Sequence, residues 1–145
     1  MLLAASGGFG LLATLGDLAS RQRGGKTFLA LDPGEQPLKP CVVLPGQERV
    51  ACLSVGGRLL VFGLDELRHE PRGGHGLTLM EVDAAKEPLA GVAVFADALR
   101  VEGTGRGGRA KDVLLKGSAL AAHAGRRARR GHMVEGVKAQ RVVPA

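Results

Sequence analysis

The chain has no tryptophan and no tyrosine, and phenylalanine occurs only four times in 145 residues. Without tyrosine there is no phenolic nucleophile. Without a set of exposed aromatics there are no platforms on which single-stranded bases could stack. Phe9, Phe28, Phe62 and Phe95 all fall in or beside apolar runs and read as core. Cysteine is nearly absent as well: Cys41 and Cys52 lie in strand-like apolar runs with no second Cys or His at metal-ligand spacing, so they read as buried, reduced thiols. That usage fits a reducing compartment. No apolar stretch approaches the roughly 20 residues of a spanning helix. The run from Leu2 to Thr14 superficially resembles a signal peptide, but it lacks a basic start, is broken by Gly7, Gly8 and Gly10, and matches the internal segment 50–62; it reads as a strand pair. Catalytic constellations are missing too. No serine can be given a base, and His69 with His75, or His123 with His132, are too loosely spaced for a metal site. Arg106-Gly107-Gly108-Arg109 lacks the Lys-Ser or Lys-Thr of a phosphate loop. An independent enzyme would need a cofactor that nothing here anticipates.

What the chain has in excess is glycine, 23 residues of it, and the glycines recur in order. Arg21-Gln22-Arg23-Gly24-Gly25-Lys26 is echoed by Pro71-Arg72-Gly73-Gly74-His75-Gly76, and again, blurred, by Arg129-Arg130-Gly131-His132. Arg72 follows Arg23 by 49 residues and Arg130 follows Arg72 by 58. The flanks repeat as well: Leu2 to Leu12 reads like Val50 to Leu60, and Leu18 and Leu67 each precede an Arg-Gly-Gly by five residues. Periods of about 40 to 50 residues built from short strands and glycine turns point to propeller-like blades. The reading is therefore a single all-β domain over 1–145, with repeats at about 1–48, 49–97 and 98–145.

Each repeat opens with a hairpin: Leu2–Ala5 and Phe9–Thr14 about Gly7-Gly8, then Val50–Ser54 and Arg58–Gly63 about Gly56-Gly57. Continuous apolarity in the second pair predicts a sheet covered on both faces. Phe28–Leu31 and Leu77–Val82 are expected as third strands, with Cys41–Leu44 and Val92–Phe95 handing over to the next blade. In the third repeat Leu99–Glu102 and Ala110–Leu115 flank an expanded turn at 103–109. A helical turn follows at 118–125 with Ser118 as its cap, then Met133–Val137 and a last strand near Arg141–Val143.

Charge is uneven. Residues 1–99 hold nine Lys or Arg against eleven Asp or Glu, whereas residues 100–145 hold eleven against three, so the overall +6 is concentrated in the last third. Glycine pairs flanked by cations can turn sharply and offer successive N–H groups to an anion, for which a phosphate diester is the natural match. Arg21, Arg23 and Lys26 of the first loop, Arg58 and Arg72 of the second repeat, Arg106, Arg109 and Lys111 of the third turn, and Arg126, Arg127, Arg129 and Arg130 are the candidate phosphate-contacting residues. Loops of this kind on one rim would form a curved positive track for duplex DNA, contacting backbone rather than bases. The plainer alternative is that each glycine pair is a hairpin turn with a solvated Arg beside it, and that 126–130 is a flexible arm. A second function class is also open: a propeller-like module whose rim meets an acidic protein partner.

Leu3-Ala4-Ala5-Ser6-Gly7-Gly8-Phe9-Gly10, Gly16-Asp17-Leu18-Ala19 and Arg23-Gly24-Gly25-Lys26, with Arg129-Arg130-Gly131 and Glu135-Gly136-Val137 at the far end, resemble the C-terminal domain of the A subunit of bacterial topoisomerase IV, a paralogue of the gyrase A subunit. The resemblance covers nearly the whole chain. It implies a β-pinwheel of about three four-stranded blades, a partial pinwheel in which neighbouring blades exchange strands and a basic outer rim binds and bends duplex DNA. The gyrase version carries a Gln-Arg-Arg-Gly-Gly-Lys-Gly box. Here the first loop opens differently and Thr27 replaces the last glycine, which favours the topoisomerase IV side. The strand-cutting tyrosine of the family lies in an upstream domain, so this chain would be a non-catalytic part of an ATP-dependent type II topoisomerase. The resemblance further implies two partners, the B subunit of topoisomerase IV and the catalytic N-terminal part of the same polypeptide. It also implies ATP and Mg²⁺ used elsewhere in the enzyme with no cofactor in this chain, no membrane, and a cytoplasmic, nucleoid-associated location.

Overall fold

The structure, a computed structural model, describes residues 1–14, 16–17 and 29–145. The first Arg-Gly-Gly loop, with Arg21, Arg23 and Lys26, lies outside the described residues, as do Leu18 and Phe28.

Three hairpins carry the architecture. β1 (Leu2–Ala4) pairs with β2 (Phe9–Leu12), β3 (Arg49–Ser54) with β4 (Arg58–Gly63), and β7 (Leu99–Thr104) with β8 (Ala110–Leu115), all antiparallel. Around them stand β5 (Leu77–Thr78), β6 (Leu89–Phe95), β9 (His132–Met133) and β10 (Lys138–Pro144). One short helix, α1 (Gly117–Ala121), and 3-10 turns at Leu64–Glu66 and Arg106–Gly108 complete the described elements. The strands form three small open sheets, ordered β1-β2-β5, β6-β3-β4-β9 and β10-β7-β8. The stretch 37–41 runs beside β1 as a further strand-like edge: Leu38 N donates to Ala4 O at 2.8 Å, Leu2 N to Cys41 O at 2.7 Å and Cys41 N back to Leu2 O at 3.0 Å.

The sheets stack face to face, and period-2 alternation explains how. In the middle sheet Ala51, Leu53, Leu59, Val61, Ala93 and Phe95 point to one side and join Leu99, Val101, Leu115, Leu120 and Val142 in one core. Their neighbours Val50, Cys52, Leu60, Phe62, Val92 and Val94 point the other way and pack with Leu2, Ala4, Leu67, Leu79 and Met80. Both faces of the middle sheet are therefore covered, as its unbroken apolar run predicts. Phe95 is fully buried in the second interface. Burial of a side chain that size stabilises by about 1.5 to 3 kcal/mol. Cys52 is sealed inside, and Cys41 is partly buried with its thiol 3.1 Å from Val92 O. Burial pushes both thiols up from their ordinary pKa.

Several expected elements come out differently. The strand expected over 77–82 is only Leu77–Thr78, because Leu79 and Met80 turn into the core while Leu79 N donates to Gly8 O at 2.7 Å. The hand-over strand at 41–44 reduces to the bridge at Cys41, with Val42 and Leu44 exposed. The turn expected from Gly103 starts later, since Gly103 and Thr104 still pair with Lys111 and Ala110. Ser118 is not a cap: α1 begins after Lys116, makes no side-chain cap bond, and is held by burial of Leu120. The strand expected over 133–137 stops at Met133, as Val134 turns into the core, and the last strand is longer than expected.

Candidate nucleic-acid interface

The second Arg-Gly-Gly loop and its blurred third copy, Arg129-Arg130-Gly131, do the same mechanical job. Each is followed at once by a two-residue strand that completes the hairpin of the preceding repeat: β5 pairs with β2, and β9 with β4. In both cases the glycine just before the strand lies directly on the older hairpin. Gly76 takes a φ of 78° and Gly131 a φ of 74°. A Cβ on Gly131 would sit 2.5 Å from Leu59 O, and one on Gly76 would strike the equivalent Gly10 O. Here glycine serves close backbone passage. Gly73 N is already committed to Glu70 O at 3.1 Å, and Gly74 O accepts Ala30 N at 2.8 Å.

The cations divide by what holds them. Arg127 is fastened inside: its guanidinium donates to Thr78 O at 2.7 Å and its backbone N to Glu66 Oε1 at 3.1 Å. Arg58 is fastened too, by Glu87 Oε1 at 3.0 Å and by Arg130 O at 3.1 Å. Their neighbours Arg126, Arg129 and Arg130 are exposed and, among the described residues, pair with no carboxylate. The loop that presents them bridges the first two sheets: Ala128 N donates to Leu79 O at 2.9 Å, and Glu81 N to Arg129 O at 2.9 Å. Arg106 and Arg109 sit exposed on the β7–β8 turn, with Lys111 exposed at the start of β8. Arg72 is exposed on the loop that adjoins Ala30. The structure thus joins Arg58 and the 126–130 cluster at one seam, and places the 106–111 group on the third sheet and Arg72 beside the first.

Sequence reasoning missed two acidic residues that shape this surface. Glu35 accepts Gly7 N at 3.0 Å and Asp32 N at 2.6 Å, which plugs the β1–β2 turn. Glu87 does the corresponding job at the β3–β4 turn, accepting the Ser54 hydroxyl at 2.7 Å and the Arg58 guanidinium. The Arg58 hydrogen bond, then that from Ser54, holds the Glu87 carboxyl below its usual pKa. Each glutamate lies close to a proline, Pro33 or Pro88, and that shared setting was the one available signal. Asp17 is also held low, first by the backbone N–H of Thr14, which it accepts at 3.1 Å.

Exposed guanidinium groups without acidic partners among the described residues, mounted on a loop that two sheets hold in place, suit an extended polyanion.

No protein-family model matches the chain. In sequence it is 32% identical over 135 residues to the A subunit of DNA topoisomerase 4 of Neisseria gonorrhoeae, across 88% of this chain and 17% of that protein. It is 30% identical over 73 residues to the protein of the same name from Salmonella typhimurium, across 50% of this chain and 10% of that one. The chain therefore spans a small part of the length of these relatives. Among solved structures it matches the E. coli ParC C-terminal domain with a TM-score of 0.82 and 24% identity, covering 97% of this chain and 58% of that one. It matches the C-terminal domain of DNA topoisomerase IV with a TM-score of 0.71 and 19% identity, covering 92% and 40%. Against the DNA gyrase A C-terminal domain the score is 0.68 at 17% identity, covering 90% and 41%. Three small open sheets with exchanged edge strands are the β-pinwheel that the resemblance implies, although among the described residues only the middle sheet has four strands and the other two have three.

Proposed function

Because the chain is a sequence relative of the A subunit of topoisomerase IV, with the fold of its C-terminal domain, we infer that it binds and bends duplex DNA for a type II topoisomerase. The observation that carries the reading is the loop 126–131, whose Arg126, Arg129 and Arg130 are exposed and unpaired among the described residues while its backbone is fixed to Leu79 and Glu81. Arg106, Arg109, Lys111 and Arg72 extend the positive surface. Contacts of this kind are to phosphates, so binding is sequence-tolerant and salt-sensitive. Bending a site of 20 to 30 base pairs costs on the order of 1 to 6 kcal/mol, which several phosphate contacts offset.

In this reading the chain presents a bent DNA segment to a catalytic core for supercoil relaxation and decatenation. The strand-cutting tyrosine, ATP and Mg²⁺ belong to the catalytic N-terminal part and to the B subunit, and the setting is the bacterial cytoplasm.

The test is binding to a short and a longer duplex at several salt concentrations, with energy transfer between the ends of the longer one. Replacing Arg126, Arg129 and Arg130 by Ala, with Arg127 left in place because it is structural, weakens binding across unrelated sequences. It also flattens the salt dependence by about 0.9 log unit for each phosphate no longer neutralised. Unchanged affinity and slope refute the assignment of the site, and binding without end approach refutes bending.

A further inference from the structure

The loop behind the first sheet and the second Arg-Gly-Gly loop meet at a group of side chains that DNA binding does not use. Among the described residues, Asp32, Glu35 and His75 bring one ligand atom each within 4.8 Å of one another. His75 Nε2 lies 3.3 Å from Asp32 Oδ2 and 3.9 Å from Glu35 Oε1. That nitrogen is buried, yet it makes no hydrogen bond among the described residues. A buried polar atom without a partner is costly, and here it faces two carboxylates without being satisfied by either.

The geometry points to a binding site for a divalent cation of the zinc type, held by His75 Nε2, Asp32 Oδ2 and Glu35 Oε1. Zinc–nitrogen and zinc–oxygen bonds of about 2.0 to 2.2 Å in a tetrahedron place neighbouring ligand atoms about 3.4 Å apart, so the two spacings to His75 lie within about half an ångström of that value, and the two carboxylate oxygens, within 4.8 Å of each other, close by at most about 1.4 Å. The supporting shell is already in place. Glu35 is nearly buried, with its carboxylate aimed by Gly7 N and Asp32 N, and the His75 ring lies against Phe9 at a centroid distance of 3.9 Å. Asp32 is exposed and leaves the fourth position to water. The ligand set is one imidazole and two carboxylates, and the borderline imidazole nitrogen with so few oxygen donors suits Zn²⁺ or Co²⁺ better than Mg²⁺. Chain spacing hid this group, because its histidine comes from the second repeat and its carboxylates from the first.

The test is titration of the whole chain with Co²⁺ and then Zn²⁺ near neutral pH, followed by visible absorption and calorimetry. The expected result is one equivalent of Co²⁺ with the intense bands of a tetrahedral site, displaced by one equivalent of Zn²⁺. Binding weakens with falling pH, as it does for any metal site that requires deprotonated ligands. Asp32→Asn and His75→Gln each weaken binding at least tenfold, whereas His132→Gln, at an exposed histidine elsewhere, leaves it unchanged. Asp32 is at the surface, so its variant keeps the parent's circular dichroism and the loss cannot come from unfolding. Absence of a tetrahedral cobalt spectrum, or binding that survives His75→Gln, overturns the site.

Discussion

Replacing Gly131 by Ala separates two costs that the structure loads onto one residue. The first is conformational: a φ of 74° is left-handed, which costs an L-residue about 1 to 2 kcal/mol. The second is spatial: the new methyl carbon would lie 2.5 Å from Leu59 O and 2.7 Å from its carbonyl carbon, both backbone atoms of β4 that cannot swing aside. Relieving that clash lifts the chain off β4 just where β9 adds only two residues to the sheet. About one hydrogen bond and part of the packing of Val134 then disappear, roughly another 1 to 2 kcal/mol. The expected total is about 3 kcal/mol. Gly107 supplies the control: its φ is 77°, but a Cβ there would meet nothing within 4 Å, so Gly107→Ala carries the first cost alone. The chain has no Trp or Tyr. Urea unfolding is accordingly followed by far-ultraviolet circular dichroism, with Cm compared at constant m. Equal destabilisation of the two variants would refute close passage over β4 as the reason for the glycine.

Phe95→Ala, in the fully buried interface between the second and third sheets, is expected to cost about 3 to 5 kcal/mol in the same assay, and a loss under about 1 kcal/mol would contradict the packing described. Glu87 gives a pH prediction. Its carboxyl is held below the ordinary value of 4.5 in the folded state, so its contribution is present above that value and is lost as the pH falls through the lower folded pKa. Glu87→Gln should therefore lower stability at neutral pH by at most about 1 kcal/mol, given its partial exposure, and flatten the acid limb of the stability profile. An unchanged acid limb would show that the Arg58 and Ser54 bonds do not distinguish charged from neutral Glu87.

The hairpins and the two-sided middle sheet were legible because they depend on period-2 apolar alternation and on glycine turns, both local signals. The ends of elements were not. Leu77 to Val82 reads as one strand, and only the packing of Leu79 and Met80 between two sheets shows why pairing stops after Thr78. In the candidate site the sequence picked out Arg72, Arg129 and Arg130 by their recurring place beside glycine, and Arg126 and Arg127 as members of the basic run 126–130. It could not tell Arg127 from them, since the atom that fastens Arg127 is a backbone carbonyl 49 residues away. The glycines looked like anion-binding turns, and Gly76 and Gly131 instead serve strand crossing. Glu35 and Glu87 escaped notice because a carboxylate that plugs a turn from some 30 residues away leaves no local pattern.

Strand exchange also decides the order in which the molecule can be made. When synthesis has passed β1 and β2, β2 still lacks the edge strand that arrives with Leu77 and Thr78. The middle sheet likewise waits for His132 and Met133. The first two units are each finished by the next, so each leaves a bare sheet edge, prone to mispairing, until that segment emerges. Arrays of self-contained repeats can gain or lose a unit at a sequence boundary. Here a cut at such a boundary would strip one sheet and leave an unmated strand on the other side, so growth or shrinkage of the array by whole units must break the chain inside a repeat.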